Sequence, residues 1–336
     1  DNTDCYPSGW TRQAQALEEV LAERSEHAVS VSCGASHSVA VASDGHVLTW
    51  GWGDQGQLGR DARDDETPRP IPTFQRCMQT DNPARPLRLV TITADRVKVA
   101  QIASGEDHSV ALTEAGSVFT WGSNSRGQLG HGNLDAPSPL AGASGRARYL
   151  STPTLVENLW RKKATQIACG AFHTVILSEA GSLFTFGAGA QLGIGAIAKG
   201  RGDRSLPCCL QDLSRRARIR GIACGLNFTL ALTHRGNLFA WGDNDSGQLG
   251  VGDRRHRFVP THVPTLGYRT PSVNNTPGRK SPGGTTTKVV RKKTIAQIAC
   301  GNRHSVALSV GGHVYTWGSG RDGQLGHGQA TDSLLL

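Results

Sequence analysis

Apolar residues in this chain gather into short runs in which both strand parities are filled. Between residues 108 and 121, Val110-Ala111-Leu112 and Val118-Phe119-Thr120-Trp121 flank Glu114-Ala115-Gly116. Successive side chains of a strand face opposite sides, so apolar residues at both parities predict strands covered on both faces. A glycine closing the turn supplies the positive φ that a short hairpin connection needs. The same arrangement surrounds Ser43-Asp44-Gly45, between His37 to Val41 and Val47 to Trp50, and Gly181, Gly236 and Gly312 hold the turn place in three later segments. The predicted unit is a β-hairpin, present five times.

These hairpins belong to a longer repeat. The strings CGASHSVAVASDGHVLTWGWGDQGQLG from Cys33, SGEDHSVALTEAGSVFTWGSNSRGQLG from Ser104, CGAFHTVILSEAGSLFTFGAGAQLG from Cys169, CGLNFTLALTHRGNLFAWGDNDSGQLG from Cys224 and CGNRHSVALSVGGHVYTWGSGRDGQLG from Cys300 align on one another. The repeat cores are therefore 33–59, 104–130, 169–193, 224–250 and 300–326, joined by spacers of unequal length. A tandem period of this size fixes architecture before local propensity matters. Gln101-Ile102-Ala103, Gln166-Ile167-Ala168 and Gln297-Ile298-Ala299 predict one more strand before a core. Thr67-Pro68-Arg69-Pro70-Ile71, Thr152-Pro153-Thr154-Leu155 and Phe258-Val259-Pro260 predict an edge strand after it, where proline is tolerated. Four-stranded antiparallel sheets, covered on both faces by their neighbours, give an all-β fold of β-propeller type.

The motif Cys-Gly-x-x-His-Ser/Thr, then the turn glycine, Trp-Gly and Gly-Gln-Leu-Gly resembles the repeat of the regulator of chromosome condensation family, and the resemblance implies a seven-bladed propeller. Two copies depart from it. The third has Phe186 for tryptophan and is two residues shorter before Gln191-Leu192-Gly193, and the fourth has Phe228 for histidine. Five motifs are two fewer than that ring. Residues 1–30 form an N-terminal segment without a recognisable core, expected to supply a closing strand or helix, with the repeats at 31–336. Degenerate closing blades, or a chain that is part of a longer protein, are the expected explanations of the count.

Glycine makes 42 of 336 residues, well above the usual 7% or so, as a fold of many tight turns requires. The formal net charge of +9 is local. Residues 253–293 carry ten basic side chains and one acidic, and 199–220 carry seven basic and two acidic. No uncharged apolar run approaches the roughly 20 residues of a membrane-spanning helix. Eight cysteines without C-x-x-C or zinc-type spacing point to a reducing compartment, nuclear or cytoplasmic, including the cytoskeleton.

Repetition decides the reading of the tempting residues. His37, His108, His173 and His304 occupy one place in successive repeats and are expected to be structural, bonding neighbouring backbone. Cys33, Cys169, Cys224 and Cys300 are expected to be small buried residues, and Trp50, Trp121, Trp241 and Trp317 packing anchors between blades. Cys208-Cys209 lies in a spacer and is not repeated, and Trp52 is the one tryptophan added to the repeat within its cores. Gly51 to Gly56 and Gly318 to Gly323 fit G-x-G-x-x-G, but no helix is predicted after either, so dinucleotide binding is not expected. No catalytic residue, metal or cofactor is expected.

Function is then expected in the spacers. The insertion at 267–293 is predicted to be flexible, rich in Pro, Gly, Ser, Thr and Asn between 271 and 287. Arg254, Arg255, Arg257, Arg279, Lys280, Arg291, Lys292 and Lys293 are the candidate partner-binding residues, for an acidic surface such as a nucleosome, nucleic acid or a tubulin tail. Thr276-Pro277-Gly278-Arg279 resembles a proline-directed phosphorylation site. The leading expectation is a non-catalytic scaffold that binds a protein or acidic partner. The resemblance also implies two alternatives: guanine-nucleotide exchange on a Ran-like small GTPase, and the recruiting module of a larger enzyme such as a ubiquitin ligase.

Overall fold

The computed structural model describes residues 17–78, 88–132, 149–159, 161–195, 202–264 and 294–334. The five hairpins are β2–β3 (His37–Ala42 and Val47–Trp52), β8–β9 (His108–Thr113 and Val118–Ser123), β12–β13 (His173–Ser178 and Leu183–Gly187), β16–β17 (Phe228–Thr233 and Leu238–Gly242) and β20–β21 (His304–Ser309 and Val314–Gly318). Their register repeats, with His108 opposite Gly122 and Leu112 opposite Val118 in the second. Each has an inner strand on one side: β1 (Ala28–Cys33), β7 (Val99–Ser104), β11 (Ala164–Cys169), β15 (Ile219–Cys224) and β19 (Ile295–Cys300). All five inner strands shift register after their first residue, a bulge that bends the strand at the same height in every blade.

Outer strands β4 (Asp64–Pro70), β14 (Arg204–Cys209) and β18 (Arg257–His262) complete four-stranded blades 1, 3 and 4. Cys208 and Cys209 are thus part of strand β14, which corrects the expectation of a spacer. In the second blade, β10 (Tyr149–Leu155) pairs on its far side with an inserted hairpin, β5 (Thr73–Met78) and β6 (Arg88–Thr93), giving six strands. Phe74 of that hairpin meets Phe119 edge to face, ring centroids 5.1 Å apart. The fifth blade has three strands and a bridge from Gly318 to Ser333 where the fourth would lie.

The inner strands stand side by side in chain order, β1 against β7, β7 against β11, β11 against β15 and β15 against β19. Their Cys/Ser ends converge on one face, the mouth. The hairpin turns and the starts of the inner strands lie at the other, the turn face. There, the turn of each of the first four blades abuts the residue that begins the next blade. At Gly116, where φ is +81°, an added Cβ would lie 2.7 Å from Lys163 Cγ and 3.1 Å from the Ala164 carbonyl, so the position tolerates only glycine.

Packing follows from both strand parities being apolar. Instead of one core there are slabs between consecutive blades. Val39, Val41 and Val47 of blade 1 meet Ile102, Ala111, Phe119 and Trp121 of blade 2, and equivalent clusters join blades 2 to 3, 3 to 4 and 4 to 5. The first blade's other face is covered by a short helix, α1 (17–22), whose Leu21 is buried against Ala40, Ala42 and Leu48. The N-terminal segment thus contributes a helix, and the first strand begins at Ala28.

The ends of the series differ from its interior. Val31 is 66% exposed, whereas Ile102, Ile167 and Ile222 at its position are buried. Trp50 is half-buried, unlike the fully buried Trp121, Trp241 and Trp317, which corrects its reading as an anchor between blades: it borders α1 instead. On the fifth blade Val310 and Val314 are exposed.

Truncating a large side chain inside a slab leaves a cavity as well as removing buried area. Trp121→Ala is expected to lower unfolding free energy by about 3–5 kcal/mol, and Trp50→Ala by less than about half of that, measured by urea denaturation. Equal losses at the two sites would contradict this packing.

Candidate functional site

Each of the first four repeat motifs is spent on joining a blade to its neighbour. The Gln57 carbonyl of the first Gly-Gln-Leu-Gly accepts the Trp121 indole N–H of the next blade at 2.9 Å. Gln191 and Gln248 accept Trp241 and Trp317 likewise, at 2.8 and 2.9 Å. The same carbonyls accept a hydroxyl from the next blade: Ser305 at 2.7 Å on Gln248 and Thr229 at 3.3 Å on Gln191. Where Phe186 replaces tryptophan the indole donor is gone, and Gln128 takes Thr174 at 2.9 Å alone. The glutamine side chain folds back, Gln128 Oε1 accepting the Arg126 N–H at 2.8 Å, and the leucine carbonyl accepts the blade's own threonine, Thr120 to Leu129 at 2.7 Å. Glutamine and leucine of the motif had no assigned purpose in the sequence, because the glutamine carbonyl carries the joint and the leucine carbonyl ties the motif to its own blade, and carbonyls leave no mark in residue type.

The histidines complete these joints with side-chain hydroxyls, which corrects the expectation of backbone partners. His37 Nε2 lies 2.8 Å from Ser109 Oγ, His108 Nε2 3.0 Å from Thr174 Oγ1, and His173 Nε2 3.0 Å from Thr229 Oγ1. Since each hydroxyl proton goes to the glutamine carbonyl, the imidazole donates from Nε2, and Nδ1 is left buried without a partner. Glycine in Cys-Gly makes room for the ring: a Cβ on Gly105 would lie 2.1 Å from His108 Cε1. Burial holds His37 down to about 4, and His108 and His173 to about 3. His304 points to the side where no sixth blade is described and is half-exposed. Phe228 fills the histidine place in the fourth blade, where Ser305 still reaches Gln248.

The mouth is a cavity of about 490 Å³ lined by Cys33-Gly34-Ala35 and its four equivalents from the later blades. A belt of backbone hydrogen bonds rims it, from Ala35 N–H to Glu106 O, Glu106 to Ala171, Ala171 to Leu226 and Leu226 to Asn302, 2.8–3.1 Å long. Cys33 is exposed and Cys169, Cys224 and Cys300 are half-buried in its wall, which corrects their reading as buried core residues. Burial of the sulfur pushes Cys224 up to about 12 and Cys169 and Cys300 well above the usual thiol range, so they are neutral thiols. Among the described residues no group of three or more His, Cys, Asp or Glu side chains forms a metal site.

Of the candidate partner-binding residues, three are described, on the approach to β18 at the mouth face. Arg254 pairs with Asp332 at 3.1 Å and donates to the Asp245 carbonyl, and Arg257 pairs with Asp253 at 2.7 Å. Arg255 is exposed. Arg279, Lys280, Arg291, Lys292, Lys293 and Thr276 lie outside the described residues. Trp52, at the end of β3, is 49% exposed.

Tandem blades joined by a shared motif, with loops on two faces and no convergent reactive set among the described residues, define a repeat β-propeller. The family model of the RCC1-like domain matches residues 7–332, and the chain belongs to that family. It is 32% identical over 308 residues to the ultraviolet-B receptor UVR8 of Arabidopsis thaliana, spanning 91% of this chain and 56% of that protein. It is 30% identical over 323 residues to the human E3 ubiquitin-protein ligase HERC2, spanning 95% of this chain and 5% of that protein. Among solved structures, human WBSCR16 matches with a TM-score of 0.68 at 24% identity, over 92% of this chain and 66% of that one. Prp20p of Saccharomyces cerevisiae matches at 0.57 and 22%, over 91% and 75%; these two likenesses show the fold. The chain spans little more than half of UVR8 and a small part of HERC2.

The histidine joints make stability depend on pH. A histidine whose value falls from about 6.5 unfolded to about 3–4 folded contributes in full above pH 6.5, and the contribution shrinks as the unfolded chain takes up protons below it. The loss is about 1.4 kcal/mol per pH unit for each of the three, continuing down to the folded values. The urea midpoint is therefore expected to fall steeply between pH 6.5 and 4.5, and less steeply in His108→Phe/His173→Phe, which copies the natural Phe228. A midpoint flat across this range would show that the imidazoles are not held neutral.

Proposed function

We propose that this RCC1-like propeller is a binding scaffold with no active site of its own, which holds a protein or acidic partner through loops between its repeats. One observation carries the reading: histidine, hydroxyl, glutamine and tryptophan, the residues with chemistry to offer, are consumed in the blade joints. What differs from blade to blade lies outside the joints. The insertion at 267–293 concentrates that difference, and Arg279, Lys280, Arg291, Lys292 and Lys293 give it the charge to capture an acidic surface such as a nucleosome or a tubulin tail. The thiols of Cys169, Cys224 and Cys300 suit a reducing compartment.

Guanine-nucleotide exchange is the second reading. Its support is the fold shared with Prp20p, whose structure was described together with its binding properties to Gsp1p and histones. The similarity to HERC2 supports a third role, recruitment for an attached ligase domain. Fold alone assigns neither.

Adding the full chain to Ran loaded with fluorescent GDP is expected to leave the release rate unchanged. Acceleration by orders of magnitude would replace the scaffold with an exchange factor. In parallel, changing Arg291, Lys292 and Lys293 to glutamate is expected to abolish retention on tubulin-coated or nucleosome-coated beads without lowering the melting temperature. Retention that survives this change and is insensitive to salt would remove the electrostatic account of the insertion.

A further inference from the structure

One departure from the repeat leaves a side chain unused. In four blades the motif glutamine folds back on its own loop, its Oε1 accepting the N–H of the residue two places earlier: Gln55 to Gln57, Arg126 to Gln128, Ser246 to Gln248 and Asp322 to Gln324, at 2.8–2.9 Å. In blade 3 that loop is two residues shorter, and the residue two places before Gln191 is Gly189. Its N–H goes to Asp203 Oδ1 at 3.1 Å, a bond that separate glycines, Gly53 to Asp64 and Gly320 to Asp332, make in blades 1 and 5. One N–H cannot serve both acceptors. The Gln191 carbonyl still takes Trp241 and Thr229, but its carboxamide has no hydrogen-bond partner among the described residues. Gln191 is only 7% exposed, and an unpaired polar group so enclosed is unfavourable until something bonds it.

Beside the shortened loop lies a cavity of about 410 Å³, walled by three consecutive blades: Arg126 of blade 2, Phe172, Gln191 and Asp203 of blade 3, and Asn227 and Asp243 of blade 4. Phe172 and Asn227 each follow a residue of the belt that rims the mouth, so the cavity opens next to it. Its charge is unbalanced. Asp203 is engaged at both oxygens, one by Gly189 and the other by Arg126 Nη1 at 3.1 Å. Asp243 has only the Asn227 side chain as a partner within the lining, and His256 Nδ1 stands 3.6 Å away outside it. Burial raises the Asp243 carboxyl above the usual carboxylate range. What faces the cavity is therefore one carboxylate without a cation of its own, an unpartnered carboxamide and an aromatic ring.

We infer that this cavity binds a primary alkylammonium group, with its charge on Asp243 and an N–H on Gln191 Oε1. An ammonium brings three donors and no acceptor, the complement of this lining, and the face of a ring such as Phe172 attracts a cation. An anion would meet Asp243, and a neutral apolar ligand would leave the carboxamide unpaired. Among the described residues no set of His, Cys, Asp or Glu side chains suits a metal ion here. The ammonium can arrive on the lysine side chain of a protein or on a free amine. On a lysine it deepens and rests on the scaffold reading, at a site that is separate from the insertion and opposite to it in charge.

The test is isothermal titration calorimetry of the full chain with two probes, Nα-acetyl-lysine methylamide for the protein source and cadaverine for the free amine. The expected result is saturable binding of at least one probe at a single site, the tighter probe identifying the source, and no binding of the lysine probe once its Nε is acetylated. Asp243→Asn keeps the shape and removes the charge, and is expected to weaken binding by at least about tenfold, the scale of a hydrogen bond to a charged group. Ala190→Leu, on the same wall, is expected to weaken it by filling the space without touching the charge. The melting temperature of each variant shows that it is folded. Binding of neither probe, equal binding of the acetylated probe, or affinity unchanged in both variants overturns the inference. Calorimetry reads this cavity and the coated beads read the insertion. Absent amine binding with bead retention kept sinks only the present inference, and the reverse result sinks only the insertion reading.

Discussion

The whole assembly hangs on one carbonyl in each of the four described joints. The main-chain oxygen of glutamine in Gly-Gln-Leu-Gly is buried between two sheets, where an unpaired acceptor would cost about 1–3 kcal/mol. The next blade answers it with an indole N–H, a hydroxyl, or both. The hydroxyl in turn receives the imidazole of the blade before, so a carbonyl, a hydroxyl and a ring lie in line through each histidine joint. These contacts set the spacing at which Val, Leu and Phe side chains of facing sheets interdigitate. Stability is then close to a sum over neighbouring pairs, as in other repeat proteins.

This dependence explains which substitutions the joint absorbs. Phe186 removes one donor, and Thr174 still satisfies Gln128. Phe228 removes an imidazole, and Ser305 still reaches Gln248. Losing both donors from one joint would strand the carbonyl, and in no described joint are both absent. It also explains the contrast between interior and terminal blades. Trp50 and His304 belong to half-joints whose other half is not among the described residues, so identical residue types are half-exposed there and buried elsewhere.

Much of the fold could be read from residue order. The five hairpins, the inner strands and the edge strands of blades 1, 2 and 4 followed from apolar residues at both parities, from Gly45, Gly116, Gly181, Gly236 and Gly312 and from proline-bearing spacers, whereas β14 read as a spacer. The six-stranded second sheet did not follow, because Thr73–Met78 and Arg88–Thr93 occur once and have no copy to align against. For residues 1–30 the residue order left strand and helix open, because the helix at 17–22 buries a single leucine and its pattern is too short to decide. The joints were half legible: tryptophan and histidine stood out, while the acceptor was a backbone atom.

The belt around the mouth has a sense of rotation. Every link donates from the earlier blade to the later one, so Ala35 contributes its N–H and Asn302 its carbonyl, while the Ala35 carbonyl and the Asn302 N–H meet no backbone partner among the described residues. Peptide dipoles aligned head to tail around a full circle cancel, but over an arc they do not. Among the described residues the arc therefore carries an unmet backbone acceptor at its first blade and an unmet backbone donor at its last, a matched pair that gives this stretch of the rim an electrical polarity even though the residues involved are alanine and asparagine.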